Sequence, residues 1–169
     1  MTSSYILLSY NYHNHGSIVQ AYLETVHDFD LSDITPDPKL AKLLSDLRRR
    51  PWIFTASTRK HVRRCLRRLQ LDEDLLEGIV DTYLCDLETK HLPRSFRRAM
   101  ELAGSSTCLL CDDSSENILA AKRMGWWAVL VGHERRGGGI KRCEADFHIA
   151  SIHELPTVLP QLFNEKMIS

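Results

Sequence analysis

Apolar positions along this chain change their spacing from segment to segment, and each change marks an element. Between residues 1 and 27 they recur at helical spacing through Ile18, Val19, Tyr22, Leu23 and Val26, so that stretch reads as helix. DFDLSDITPDPKL follows as a turn-rich connection, and Asp37-Pro38 opens a short helix over KLAKLLSDL. From there short apolar runs alternate with amphipathic ones. WIFTA, GIVD, CLLCDD, WWAVLVG and FHIA read as strands, whereas HVRRCLRRLQ, PRSFRRAMELAG, SSENILAAKRMG and IHELPTVLPQLF read as helices. Strands separated by single helices pair in parallel through right-handed crossovers, which predicts a three-layer α/β sheet. Ligands of such sheets bind beyond the carboxyl ends of the strands. That rule points to Thr55, to the segment after GIVD, and to Asp112-Asp113.

Composition narrows the picture only a little. A chain of 169 residues that is 43% hydrophobic can bury a core of its own. Lys plus Arg and Asp plus Glu are both 22, so no global field draws it to nucleic acid or to anionic lipid. MTSSYILLSYNYHNHG lacks a basic n-region and has only a short apolar run, which argues against a signal peptide or a membrane span. A cytoplasmic location is expected, with the nucleus as a second compartment. The five cysteines suit reduced core thiols better than a disulfide framework. Cys108 and Cys111 spell CxxC, but within a strand their side chains leave on opposite faces, so they are expected to pack rather than to hold zinc.

Candidate chemistry gathers at the strand ends. Asp112 and Asp113 stand where an apolar run gives way to a helix, and Ser114, Ser115, Glu116 and Asn117 suit that helix start. One reading makes both aspartates caps. A cap needs no second carboxylate beside it, however, and two adjacent charges repel unless a cation or donors compensate. Magnesium, which takes one or two carboxylates, several waters and a substrate phosphate, fits better. Thr55, followed by Ala56, Ser57 and Thr58, places a hydroxyl and backbone N–H groups at a helix start, an arrangement suited to phosphate and equally to ordinary capping. Lys90 reads as an exposed loop lysine, or as a cation that neutralises a phosphoryl group. Arg59, Lys60, Arg63, Arg64, Arg67 and Arg68 oppose Val62, Cys65, Leu66 and Leu69 as the solvated face of an amphipathic helix. A nucleic-acid interface on that face is opposed by the neutral net charge. His13 and His15 point apart on a helix and suggest no zinc site.

WIFTASTRKH, TKHLPRSF and LLCDDSSENILAAKRMGW, in this order, resemble the second, third and fourth motifs of the haloacid dehalogenase (HAD) superfamily of phosphohydrolases. YHNHGSIVQAYLE, the PDPKLAKLL helix, FTASTRKHVRRCL and IHELPTVLP look more narrowly like its pyrimidine 5′-nucleotidase branch, over about residues 10 to 163. The resemblance implies a Rossmann-like core over residues 31–169, preceded by a helical cap remnant over residues 1–30. It implies that Thr55 holds the phosphate, that Lys90 is the third-motif lysine, and that Asp113 ligates Mg2+ with Asp112 and Asn117 supporting the metal shell. The implied ligand is a small phosphorylated metabolite or nucleotide, with no nucleic-acid or membrane partner. Ala56, His91 and His15 stand where the branch carries Asn, Pro and Tyr, which bears on substrate detail.

A larger departure concerns the first motif, DxDx(T/V), which in this superfamily ends the central strand and supplies the nucleophile. It is not found here, so the central strand is expected to be missing or replaced and the chain to be inactive by itself. Either an upstream segment is absent from this chain or the motif was lost in evolution. Asp28-Phe29-Asp30 has the DxD spelling but no apolar strand before it. YILLSY, residues 5 to 10, could take the place of the strand, but Asn11, Tyr12 and His13 after it bring no carboxylate. Two functions follow: a magnesium-dependent nucleotidase lineage, or a descendant that binds phosphate or a partner without turnover.

Overall fold

The computed structural model describes residues 4–10, 30–86, 88, 90–132 and 144–164. Strands β1 (Ser4–Tyr10), β2 (Trp52–Thr55), β3 (Gly78–Val80), β4 (Thr107–Asp112), β5 (Trp127–Val131) and β6 (Phe147–Ile149) form one sheet in the order β3-β2-β1-β4-β5-β6. Every pairing in it is parallel. Helices α1 (Pro38–Asp46), α2 (Arg59–Leu69), α3 (Pro93–Ala103), α4 (Ser115–Arg123) and α5 (Leu155–Val158) cover its faces. The three-layer expectation therefore holds, and the strands predicted from WIFTA onward lie where the pattern put them.

Residues 4–10 correct the helix expected through the start of the chain. They are a strand, paired with β2 on one side and β4 on the other, with Tyr10 opposite Thr55 and Leu8 opposite Cys111. The physical reason is edge satisfaction. Without β1, two central strands would each keep a row of unpaired N–H and C=O groups in the middle of the fold. YILLSY thus occupies the centre of the sheet, between β2 and β4. The rest of the expected cap, residues 11–29 with His13 and His15, lies outside the described residues.

Alternation along the strands divides the core into two layers. Ile79, Leu109, Cys111 and Val129 face one way, against Leu43 and Leu44 of α1, Val62 and Leu66 of α2, and Leu155 of α5. Phe54, Val80, Cys108, Leu110, Ala128 and Leu130 face the other, against Phe96 and Ala99 of α3 and Ile118 and Ala121 of α4. There Phe96 meets Phe54 and Trp126 edge-on, with ring centroids 5.3 and 4.9 Å away. Cys108 and Cys111 fall in different layers, as their three-residue spacing in a strand requires. Burial pushes their thiols up to about 11 and about 12, so both are protonated packing groups at neutral pH.

Local chemistry sets the boundaries. Asp37 caps α1 by accepting from Leu40 N–H at 2.9 Å, and Thr58 caps α2. Gly104 ends α3 at φ +62°, a left-handed conformation that disfavours residues with a Cβ. Gly78 has another purpose: a Cβ there would collide with the Trp52 ring on the neighbouring strand. The single closing helix expected over IHELPTVLPQLF is broken into a 3-10 turn (Ile152–Glu154), α5 and a second 3-10 turn (Pro160–Leu162). Pro160 has no N–H to continue the α-helical ladder.

Candidate functional site

The chain runs outward from β1 through β2 to β3 and then returns to β4 on the other side of β1. That reversal opens a crevice at the carboxyl ends of β2, β1 and β4, the place where doubly wound sheets take ligands. Thr55 ends β2 and Asp112 ends β4, so both residues singled out from the sequence flank the end of β1. Thr55 is buried at 2% exposure, and its Oγ1 accepts from Ser57 N–H at 3.0 Å.

Asp112, 1% exposed, is the hub of the site. Its Oδ1 accepts from Ser114 N–H at 2.8 Å, which shapes the turn into α4. Asn117, one turn into that helix, directs its amide nitrogen at both carboxylate oxygens, at 3.2 and 3.1 Å. Lys90 Nζ donates to Oδ2 at 2.7 Å. The lysine is buried too, so the loop-lysine reading gives way to an internal ion pair. Its ammonium also lies 4.9 Å from the centre of the Phe54 ring, which links the cluster to the strand that carries Thr55. Burial, the largest influence, holds Lys90 below the usual lysine range although Asp112 pulls the other way.

Asp113 behaves differently from its neighbour. It is exposed, and its carboxyl is held above the usual carboxylate range, first by partial desolvation and then by the charge of Asp112, with Lys90 opposing. The structure therefore brings Lys90, Asp112 and Asn117 into direct contact, sets Asp113 beside them facing solvent, and places Thr55 two strands away. Among the described residues no group of three or more His, Cys, Asp or Glu side chains forms a ligand cage. One solvent-facing carboxylate beside a second, firmly held one fits a hard cation that keeps most of its waters, as magnesium does.

Sequence reasoning passed over Asp81. It follows β3, is 6% exposed, and accepts from Arg59 N–H at 3.3 Å and from Leu84 N–H at 3.1 Å. A protein carboxylate thus already sits at the first turn of α2, so an anion near Thr55 shares that helix start with Asp81. Its position as the last residue of GIVD, straight after the strand, was the available signal. Asp30 of the DxD spelling is exposed and hydrogen-bonds Ser32, whose carbonyl, with that of Leu31, accepts from Arg68 in the last turn of α2. That is the end of α2 remote from Thr55, which removes Asp30 from the crevice.

A family model described as haloacid dehalogenase-like hydrolase matches residues 10–125. This chain belongs to that family. The HAD match begins at Tyr10, the last residue of β1. Among solved structures, the fold is similar to a HAD family hydrolase from Deinococcus radiodurans R1 with bound phosphate and sodium. The TM-score is 0.66 at 20% identity, over 94% of this chain and 95% of that one. A HAD phosphatase from Thermococcus onnurineus gives 0.63 at 16%, over 93% and 98%. L-2-haloacid dehalogenase from Xanthobacter autotrophicus, with chloropropionic acid covalently bound, gives 0.62 at 16% over 75% of this chain. Only 61% of that dehalogenase is spanned, about three fifths of its length. At these identities the likeness is one of HAD fold, shared by phosphatases and dehalogenases alike.

Proposed function

We propose that this HAD-like chain keeps the phosphate and magnesium cradle of a pyrimidine 5′-nucleotidase-type phosphohydrolase but lacks the group that attacks phosphorus. One observation carries the reading. Thr55 and the Lys90–Asp112–Asn117 cluster end the two strands that flank β1, while β1 itself, SYILLSY, has no acidic residue in it. In register, Tyr10 is level with Thr55, and Ser9, next after the Leu8–Cys111 pair, is level with Asp112. Hydroxyl-bearing residues thus end β1, and Asn11, Tyr12 and His13 after it bring no carboxylate to act as a nucleophile.

The ligand in this reading is a nucleoside monophosphate or a similar small phosphate ester. Thr55 donates a hydrogen bond to a phosphoryl oxygen, and Lys90 offers charge to another from its place against Asp112. Asp113 holds the cation directly, with Asp112 and Asn117 fixing the turn that presents it. Magnesium, when bound, neutralises the phosphate and sharpens its orientation. With no carboxylate to form a phosphoenzyme, these groups bind and orient but do not turn over. The phosphate bound to the Deinococcus relative supports the choice of ligand.

Equilibrium dialysis with uridine monophosphate, with and without Mg2+, alongside a phosphate-release assay, tests the proposal. Expected are saturable, magnesium-dependent binding that Thr55→Val and Asp113→Asn weaken, and no release above background. Release through an acid-stable phosphoenzyme would overturn the inactive part. Absence of binding would overturn the cradle.

A further inference from the structure

On the outer side of the connection that carries Lys90 lies a cleft of about 570 Å3, between the turn at residues 83–86 and helix α3. Its volume is that of a small-molecule pocket. Arg94, Arg97 and Arg98, spaced i, i+3 and i+4, present three guanidinium groups to it from one face of α3. Opposite stands Tyr83, an aromatic ring 40% exposed in a protein that buries most of its large apolar side chains.

The acidic groups around the cleft hold these arginines only loosely. Arg94 pairs with Asp86 at 3.0 Å and with Glu88 at 3.2 Å, and Arg98 pairs with Glu101 at 3.2 Å, one helical turn on. Arg94 is largely exposed and Arg98 nearly half exposed in these pairs, so water and salt screen them and exchanging partners costs little. Among the described residues no carboxylate pairs with Arg97. A phosphate dianion accepts bidentate hydrogen bonds from guanidinium more strongly than a solvated carboxylate does, and two neighbouring arginines can grip it together. Tyr83 and the apolar part of Leu84 then give a flat organic group a wall to lie against.

We propose that this cleft is a second binding site, taking a small phosphate ester that carries a flat ring, with Arg97 and Arg98 on the phosphate and Tyr83 on the ring. The site is separate from the crevice at Thr55 and Asp112 and does not rest on the function assigned there. Arg97, Arg98 and Tyr83 are all surface side chains, so their replacement leaves the two core layers intact.

Calorimetric titration of the full chain with phenyl phosphate and with inorganic phosphate, in low-chloride buffer, tests it. The double variant Arg97→Gln/Arg98→Gln is expected to weaken phenyl phosphate binding by about tenfold or more, the loss of a charge-assisted pair. Tyr83→Ala should weaken phenyl phosphate while sparing inorganic phosphate, and Thr55→Val should leave the cleft's binding in place. A wild type that shows no saturable phenyl phosphate binding overturns the proposal. So does a double variant that binds as the wild type does, or a Thr55→Val variant that has lost all binding. Should the double variant melt early, Arg97→Gln alone gives the same reading.

Discussion

Lys90 and Arg94 stand four residues apart where the β3–α3 connection meets its helix, and each is paired with an aspartate. Lys90 reaches inward to Asp112 at 2.7 Å, and both side chains are almost wholly sealed from water, at 3% and 0% exposure. Arg94 reaches outward to Asp86 at 3.0 Å, with 64% and 68% of the two side chains exposed. The difference in distance is trivial; the difference in surroundings decides what each pair does. A buried pair cannot lose one partner without leaving a charge in a medium that does not solvate it. An exposed pair loses little, because water and salt take the partner's place. The inner pair therefore acts as a structural hub, and the outer one is a surface feature whose guanidinium can be recruited by something else.

Removing the inner cation should break this comparison most visibly, if it can be broken. Lys90→Met is expected to destabilise the fold by roughly 3–5 kcal/mol in urea denaturation, and Lys90→Met/Asp112→Leu to be more stable than Lys90→Met alone. A Lys90→Met protein as stable as the wild type would mean that water reaches the pair. Next in size, Asn117→Ala should cost about 1–3 kcal/mol, because it strips two hydrogen bonds from a buried carboxylate. Magnesium-dependent ligand binding should weaken in the same variant if Asn117 fixes the turn that presents Asp113.

A smaller effect tests burial on a group that has no counter-charge. The Cys108 thiol is held at about 11 in the folded chain against 9.0 when unfolded. Between these values the unfolded state loses a proton that the native state keeps, so stability falls as pH rises from about 9 to about 11. Urea midpoints across that range should show a shallower fall in Cys108→Ala than in the wild type. Smallest of all, Arg94→Ala should change stability by under about 1 kcal/mol, and that change should vanish in high salt. A larger or salt-insensitive loss would place Arg94 with Lys90 and end the contrast.

Much of the site could be read in the sequence because strand ends are locally encoded. Thr55 closes WIFT, Asp112 closes CLLCD, and Asn117 follows at the spacing of one helical turn, so a period-2 run followed by a period-3.6 run placed all three. Asp113 and Asp112, by contrast, are adjacent in the chain, and their different fates depend on which of them the packing of β4 against its neighbours turns inward. Asp81 was less legible because a three-residue strand gives little periodicity to lean on. The arginine cleft was hidden for a further reason: Arg94, Arg97 and Arg98 look like any solvated helix face until the turn carrying Tyr83 is set opposite them.

What the sequence determined by itself is the succession of α-helices and strands from Pro38 to Ile149, the opposite facing of Cys108 and Cys111, and the amphipathic face of α2. All three follow from side-chain geometry within a single turn or strand. Only the tertiary structure decided that YILLSY fills the middle of the sheet, that Lys90 is sealed against Asp112 across 22 residues of chain, and that Asp30 is turned away from the crevice. Each of those outcomes depends on which distant backbone groups need partners and which charges are cut off from water, and neither quantity can be read from neighbouring residues along the chain.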